Sequence, residues 1–72
     1  MHPRGNEPKR RRTSGWTPSK GDSVELRRWG RTLRLGVVET AIPDGSGFWI
    51  EPNGAEPRLF VHFSFTDIEI WA

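Results

Sequence analysis

The chain has 72 residues, 11 Lys and Arg against 9 Asp and Glu, a formal net charge of +2 and no cysteine. One domain is the most that such a length supports, and the lack of cysteine excludes a disulfide-stapled scaffold or a thiolate metal site. No apolar run approaches the ~18 residues of a membrane span and the N-terminus lacks an apolar leader, so a cytoplasmic protein with no membrane association is expected. Arginine far outnumbers lysine, and Gly, Pro and Trp are frequent while Tyr is absent, a composition that suggests a GC-rich bacterial genome.

Charge is unevenly spread. In residues 1–20, Arg4, Lys9, Arg10, Arg11, Arg12 and Lys20 oppose Glu7 alone, whereas beyond Lys20 the acidic residues outnumber the basic ones. The same first segment holds three prolines, two glycines and one large aromatic side chain, Trp16. Such a stretch buries too little apolar surface to offset an ordering cost of ~1–2 kcal/mol per residue. Residues 1–20 are therefore expected to form a disordered basic arm, and residues 21–72 the folded domain.

Order is expected to begin at the turn pair Gly21-Asp22. A first strand follows on the alternating Val24 and Leu26, and a second on Leu33, Leu35 and Val37, running to about Thr40. Gly36 inside that second strand marks a bulge or sharp bend. The segment Ala41 to Ser46 reads as a loop from its Pro, Asp and Gly.

From Gly47 to Phe63 the chain reads as two strands on a tight turn. Asn53-Gly54 is the preferred pair for a type I′ hairpin turn, which needs φ > 0 at both central residues. Pairing Pro52 with Ala55 sets Trp49 opposite Arg58 and Phe48 opposite Leu59. Alternation then puts Phe48, Ile50, Leu59, Val61 and Phe63 on one face and Trp49, Glu51, Arg58, Phe60 and His62 on the other. After a single turn around Phe65, Ile68 and Ile70 make a last short strand. The expected core is Val24, Leu26, Leu33, Leu35, Val37, Phe48, Ile50, Leu59, Val61, Phe63, Ile68 and Ile70, with Ile42 and Phe65 plugging the ends.

Five short strands without a long helix make an all-β fold. The Gly21-Asp22-Ser23-Val24 opening, the Gly36-Val37-Val38-Glu39 strand, the hairpin and the one-turn link before the last strand together resemble an SH3-like small barrel. The resemblance spans residues 21–72 and extends to KOW and Tudor-type modules and to small actinobacterial SH3-like proteins. It implies a five-stranded barrel that works as a binding module. The layout is also similar to the plasmid-encoded type II dihydrofolate reductases. That family lines its pore with Val-Gln-Ile-Tyr, however, where this chain has Leu59-Phe60-Val61-His62, so the resemblance does not carry the activity over.

Catalytic constellations are weak. His62, Ser64 and Asp67 are close in sequence, but the spacing does not establish an aligned nucleophile, base and acid; a strand-end His and a capped turn account for them. Glu51 and Glu56, facing across the hairpin, read as solvated side chains. His2 and His62 alone make no metal-ligand cluster. Neither an enzyme nor a cofactor is expected.

Binding readings are stronger. Lys9, Arg10, Arg11 and Arg12 suit sequence-independent contact with phosphates. Arg27, Arg28, Arg31 and Arg34 bracket the first turn as a second basic cluster. Trp49, Phe60 and His62, with Arg58 nearby, offer flat faces for stacking on bases. RNA or DNA is the leading partner and a protein the second, because exposed aromatics also anchor protein interfaces. A core this small cannot enclose four tryptophans, and Trp29 and Trp71 fall on outward parity, as rim or contact residues of a monomer or small homo-oligomer.

Overall fold

The computed structural model describes residues 10–12, 15–65 and 67–72. Among these residues the fold is all-β, with strands β1 (Arg11–Arg12), β2 (Ser23–Arg28), β3 (Arg31–Ala41), β4 (Gly47–Ile50), β5 (Leu59–His62) and β6 (Glu69–Trp71). They form one antiparallel sheet in the order β1-β6-β2-β3-β4-β5. Among the described residues no pairing joins β1 to β5, so the sheet stays open.

The long strand β3 organises the molecule. Its first part pairs with β2, from Arg28 opposite Arg31 to Ser23 opposite Val37. Its second part pairs with β4, through Val38 opposite Ile50 and Ala41 opposite Phe48. A register shift interrupts each ladder, one where Leu33 is the extra residue and one where Glu39 is. Bulges bend and twist a strand, which lets one strand serve both halves of the sheet. Gly36 lies between the two shifts with the Ile50 side chain packed over its Cα.

The bulges also overturn the expected parity of β3. Leu33 and Leu35 are 50% and 55% exposed, while Val38 is fully buried and Arg34 only 8% exposed. The inward positions are thus Arg34, Gly36 and Val38. Alternating leucines are the stronger hydrophobic signal in the sequence, but Leu26 and Val24 of β2 stand opposite Arg34 and Gly36. The space over those two residues is filled by Ile50 and by the Arg34 side chain itself.

The buried core comprises Val24, Leu26, Val38, Phe48, Ile50, Val61 and Ile70, with Trp16, Ala41, Phe63, Ile68 and Ala72 packed against it. Leu59 keeps its expected face but lies at the margin, Ile42 is half-buried, and Phe65 is exposed rather than a plug.

The β4–β5 hairpin turn differs from expectation. In the β4–β5 connection Asn53 pairs with Glu56 through two backbone hydrogen bonds of 3.0 and 2.9 Å. The central residues are therefore Gly54 and Ala55, with φ 59° at Gly54, which fits a II′ turn with glycine first. Phe48 then faces Val61 and Trp49 faces Phe60. The slip changes every partner but moves no side chain to the other face. The left-handed pair sits elsewhere, in the β2–β3 turn, where Trp29 has φ 52° and Gly30 φ 77°. An indole side chain in that region costs ~1–2 kcal/mol, so this turn is held against local preference.

The segment expected as a disordered arm contributes to the body. Arg11 pairs with Trp71 and Arg12 with Ile70, and the Arg10 and Ala72 backbones exchange hydrogen bonds of 3.3 and 2.9 Å. The Trp16 ring stands edge-on to Phe48 and Phe63 with centroids at 6.0 and 6.4 Å, and Pro18 is buried. Trp16 supplies the apolar anchor that the composition of residues 1–20 conceals. The expected arm over residues 1–9, including Lys9, lies outside the described residues.

Candidate functional site

The outer face of β4–β5 carries a continuous aromatic row. Trp49 and Phe60 are cross-strand neighbours with ring centroids 5.1 Å apart; Phe60 and His62 follow at 6.1 Å, and His62 and Phe65 at 6.0 Å. Strand alternation aims the first three outward, and the turn after β5 brings Phe65 to the end of the line. The sequence reading misses Phe65, whose signal is its spacing of three from His62 across a short turn.

The row has a charged end and a polar end. The Arg58 guanidinium lies 3.9 Å from the Trp49 ring centroid and is paired with the Glu39 carboxylate. Glu39 reaches it because it is the extra residue of the second bulge. At the other end the Ser64 amide donates to His62 Nδ1 at 3.0 Å, with the Ser64 hydroxyl 2.7 Å from the same nitrogen. An amide N–H can only donate, so Nδ1 accepts in this contact. This contact closes a local turn on an exposed surface. Nearby, the hydroxyl and then the amide of Ser46 hold the Asp44 carboxyl below its usual range.

Of the four arginines expected as one cluster around the first turn, only Arg28 and Arg31 stand together, as cross-strand partners. Arg27 stacks on Trp71 at 3.9 Å and pairs with Glu25 at 2.9 Å. Arg28, on the opposite face by alternation, lies 4.4 Å over Trp29 and pairs with Asp67 at 3.1 Å. Arg31 is exposed beside the turn. Arg34 does not reach the surface as a binding residue must. It donates to the backbone carbonyls of Pro57 at 2.7 Å and Glu51 at 3.3 Å and pairs with Glu56 at 3.4 Å, clamping both arms of the β4–β5 hairpin.

Along β1, Arg11 stands opposite Trp71 and shares its side of the sheet, whereas the Arg12 guanidinium turns to the Trp16 ring at 5.6 Å. Beside Trp71, Glu25 is nearly buried, and hydrogen bonds from Arg27 and then Thr32 hold its carboxyl below the usual glutamate range. A cavity of about 290 Å³ opens between Trp16, Pro18, Ala41, Ile42, Gly47 and Phe63. Among the described residues no group of three His, Cys, Asp or Glu is placed to hold a metal ion, and no helix is long and apolar enough to cross a membrane. No family model, curated protein or solved structure matches the chain.

Proposed function

We propose that this protein is a non-enzymatic module that binds single-stranded RNA or DNA, with bases stacked along the outer face of β4–β5 and basic side chains near the N-terminus on the phosphates. The carrying observation is the row Trp49, Phe60, His62 and Phe65, four rings in sequence at 5.1–6.1 Å with a guanidinium at one end. Successive aromatic faces accept bases of any identity, at ~1–3 kcal/mol per stacked base. Lys9, Arg10 and Arg11 supply the sequence-independent attraction. One long bent strand shared by two halves, with the last strand beside the first hairpin, supports reading the fold as an SH3-like barrel, and the cytoplasm is the compartment that goes with this reading.

A second reading is a protein-interaction adaptor. It is favoured by Leu33 and Leu35, half-exposed on the outer side of β3, where a nucleic acid has no use for them and a protein partner would.

A fluorescence titration of the full chain with single-stranded RNA, single-stranded DNA and duplex DNA, at low and physiological salt, tests the first reading. Binding that quenches tryptophan and weakens with salt supports it. The variant in which Lys9, Arg10 and Arg11 become Gln should flatten the salt slope, and Trp49→Ala should weaken binding at an unchanged slope. No binding to any polymer at low salt overturns the reading in favour of the adaptor.

A further inference from the structure

Trp29 is 80% exposed, yet it occupies a left-handed backbone position that Asn, Asp or Gly would fill without strain. The core gains nothing from an indole there, and within the turn the ring meets the Arg28 guanidinium. A strained residue that the core does not use points to a use outside the fold. Its chemistry is specific. The Arg28 guanidinium covers one face of the ring at 4.4 Å, which leaves the opposite face for one flat partner, and Arg31 flanks the same two-residue turn. An open aromatic face backed by one guanidinium and flanked by a second arginine suits a ligand that is planar with an anionic group beside it.

The position of the tip adds a second observation. Arg28 is ion-paired with Asp67, in the link between β5 and β6. Phe65, the last ring of the aromatic row, lies in that link two residues earlier. The ion pair therefore ties the β2–β3 tip to the segment in which the row ends.

We infer that Trp29 is a stacking platform for one unpaired nucleobase, with Arg28 backing the ring and Arg31 on an adjoining phosphate, and that it continues the binding track of the row beyond Phe65. The inference rests on the nucleic-acid reading above and deepens it by naming the residue that favours an unpaired strand. A base held in a duplex cannot cover the ring without leaving its stack, so the tip contributes to single strands and not to duplexes.

The test compares the full-length chain with Trp29→Asn and Trp29→Phe, each titrated with a short single-stranded oligonucleotide and with its duplex. Trp29→Asn creates the pair a I′ turn prefers, so its Tm should rise by ~4–8 °C. Its single-strand affinity should nevertheless fall about tenfold, the scale of one base–aromatic stack. Duplex binding should not change, and Trp29→Phe should keep most of the single-strand affinity. If the wild type binds single strands and Trp29→Asn binds them equally well, the inference fails while the function stands. If the wild type binds no oligonucleotide, both fail.

Discussion

Ile50 lies so close across Gly36 that any Cβ on the glycine would overlap the Ile50 Cγ2 methyl group. Gly36 has no left-handed backbone; space, not φ, demands the glycine. Gly36→Ala should therefore lower stability by ~1–3 kcal/mol, the usual cost of forcing extra volume into a packed core. A urea melt measures it. Combined with Ile50→Ala, which removes the opposing methyl, the cost should be clearly less than the sum of the single changes.

Arg34 holds the β4–β5 hairpin from beneath through two backbone carbonyls. Arg34→Leu leaves both acceptors without their donor and should cost ~2–4 kcal/mol. Arg34→Lys should recover little of that, because one ammonium cannot span both carbonyls in the fixed fork of a guanidinium. Denaturant midpoints of the wild type and the two variants decide it. Equal midpoints for the wild type and Arg34→Lys would show that only charge matters at this position.

Glu25 has its carboxyl held below the usual range by Arg27 and Thr32. A carboxylate whose folded pKa lies below its unfolded value stabilises the fold fully above the unfolded value of ~4.3, and that contribution disappears as pH falls through the folded value. Stability should therefore decline below about pH 4.3, and Glu25→Gln should flatten that decline. Thermal melts from about pH 6 to about pH 3 show whether the slopes differ. Indistinguishable slopes would mean that other carboxylates carry the acid limb.

Trp16 ties the N-terminal segment to Phe48 and Phe63. Trp16→Ala should lower stability by ~2–4 kcal/mol through lost packing, and a chain begun at Lys20 should lose more, because it also lacks the β1–β6 pairing. Thermal melts of both against the full chain make the comparison. If the chain begun at Lys20 melts like the full one, the segment is an ornament on the sheet.

Much of the arrangement is legible in the sequence. Period-two alternation places every side chain of β4 and β5 on its correct face, so Trp49, Phe60 and His62 emerge as one surface before any partner is known. The Asn53-Gly54 signal misplaces the turn by one position on each strand. Gly54 satisfies a II′ turn alone, and a two-residue change in pairing leaves faces untouched. Strand β3 misleads for a different reason. Leu33 and Leu35 advertise a buried stripe, yet a bulge opposite the Leu26–Arg27 step shifts the ladder, and the inward places go to a glycine that makes room for Ile50 and an arginine whose bonds are to backbone. Neither partner is adjacent in sequence, so no local pattern reports them. Parity alone assigns Trp29 to the rim, since nothing in the residue itself shows that its backbone is left-handed.

Strand β1 gives the sheet a short, charged edge. An open sheet can recruit another chain along its edge, and natural edges are blunted by brevity and by charge. Here the edge beside β6 ends in two residues, both arginine. A second copy adding its own Arg11–Arg12 there would bring like charges within a strand spacing of ~5 Å. The charge of Arg11 and Arg12 thus opposes growth of the sheet at this edge, and neutralising the pair should favour fibrous or stacked assemblies even where the fold itself is unharmed.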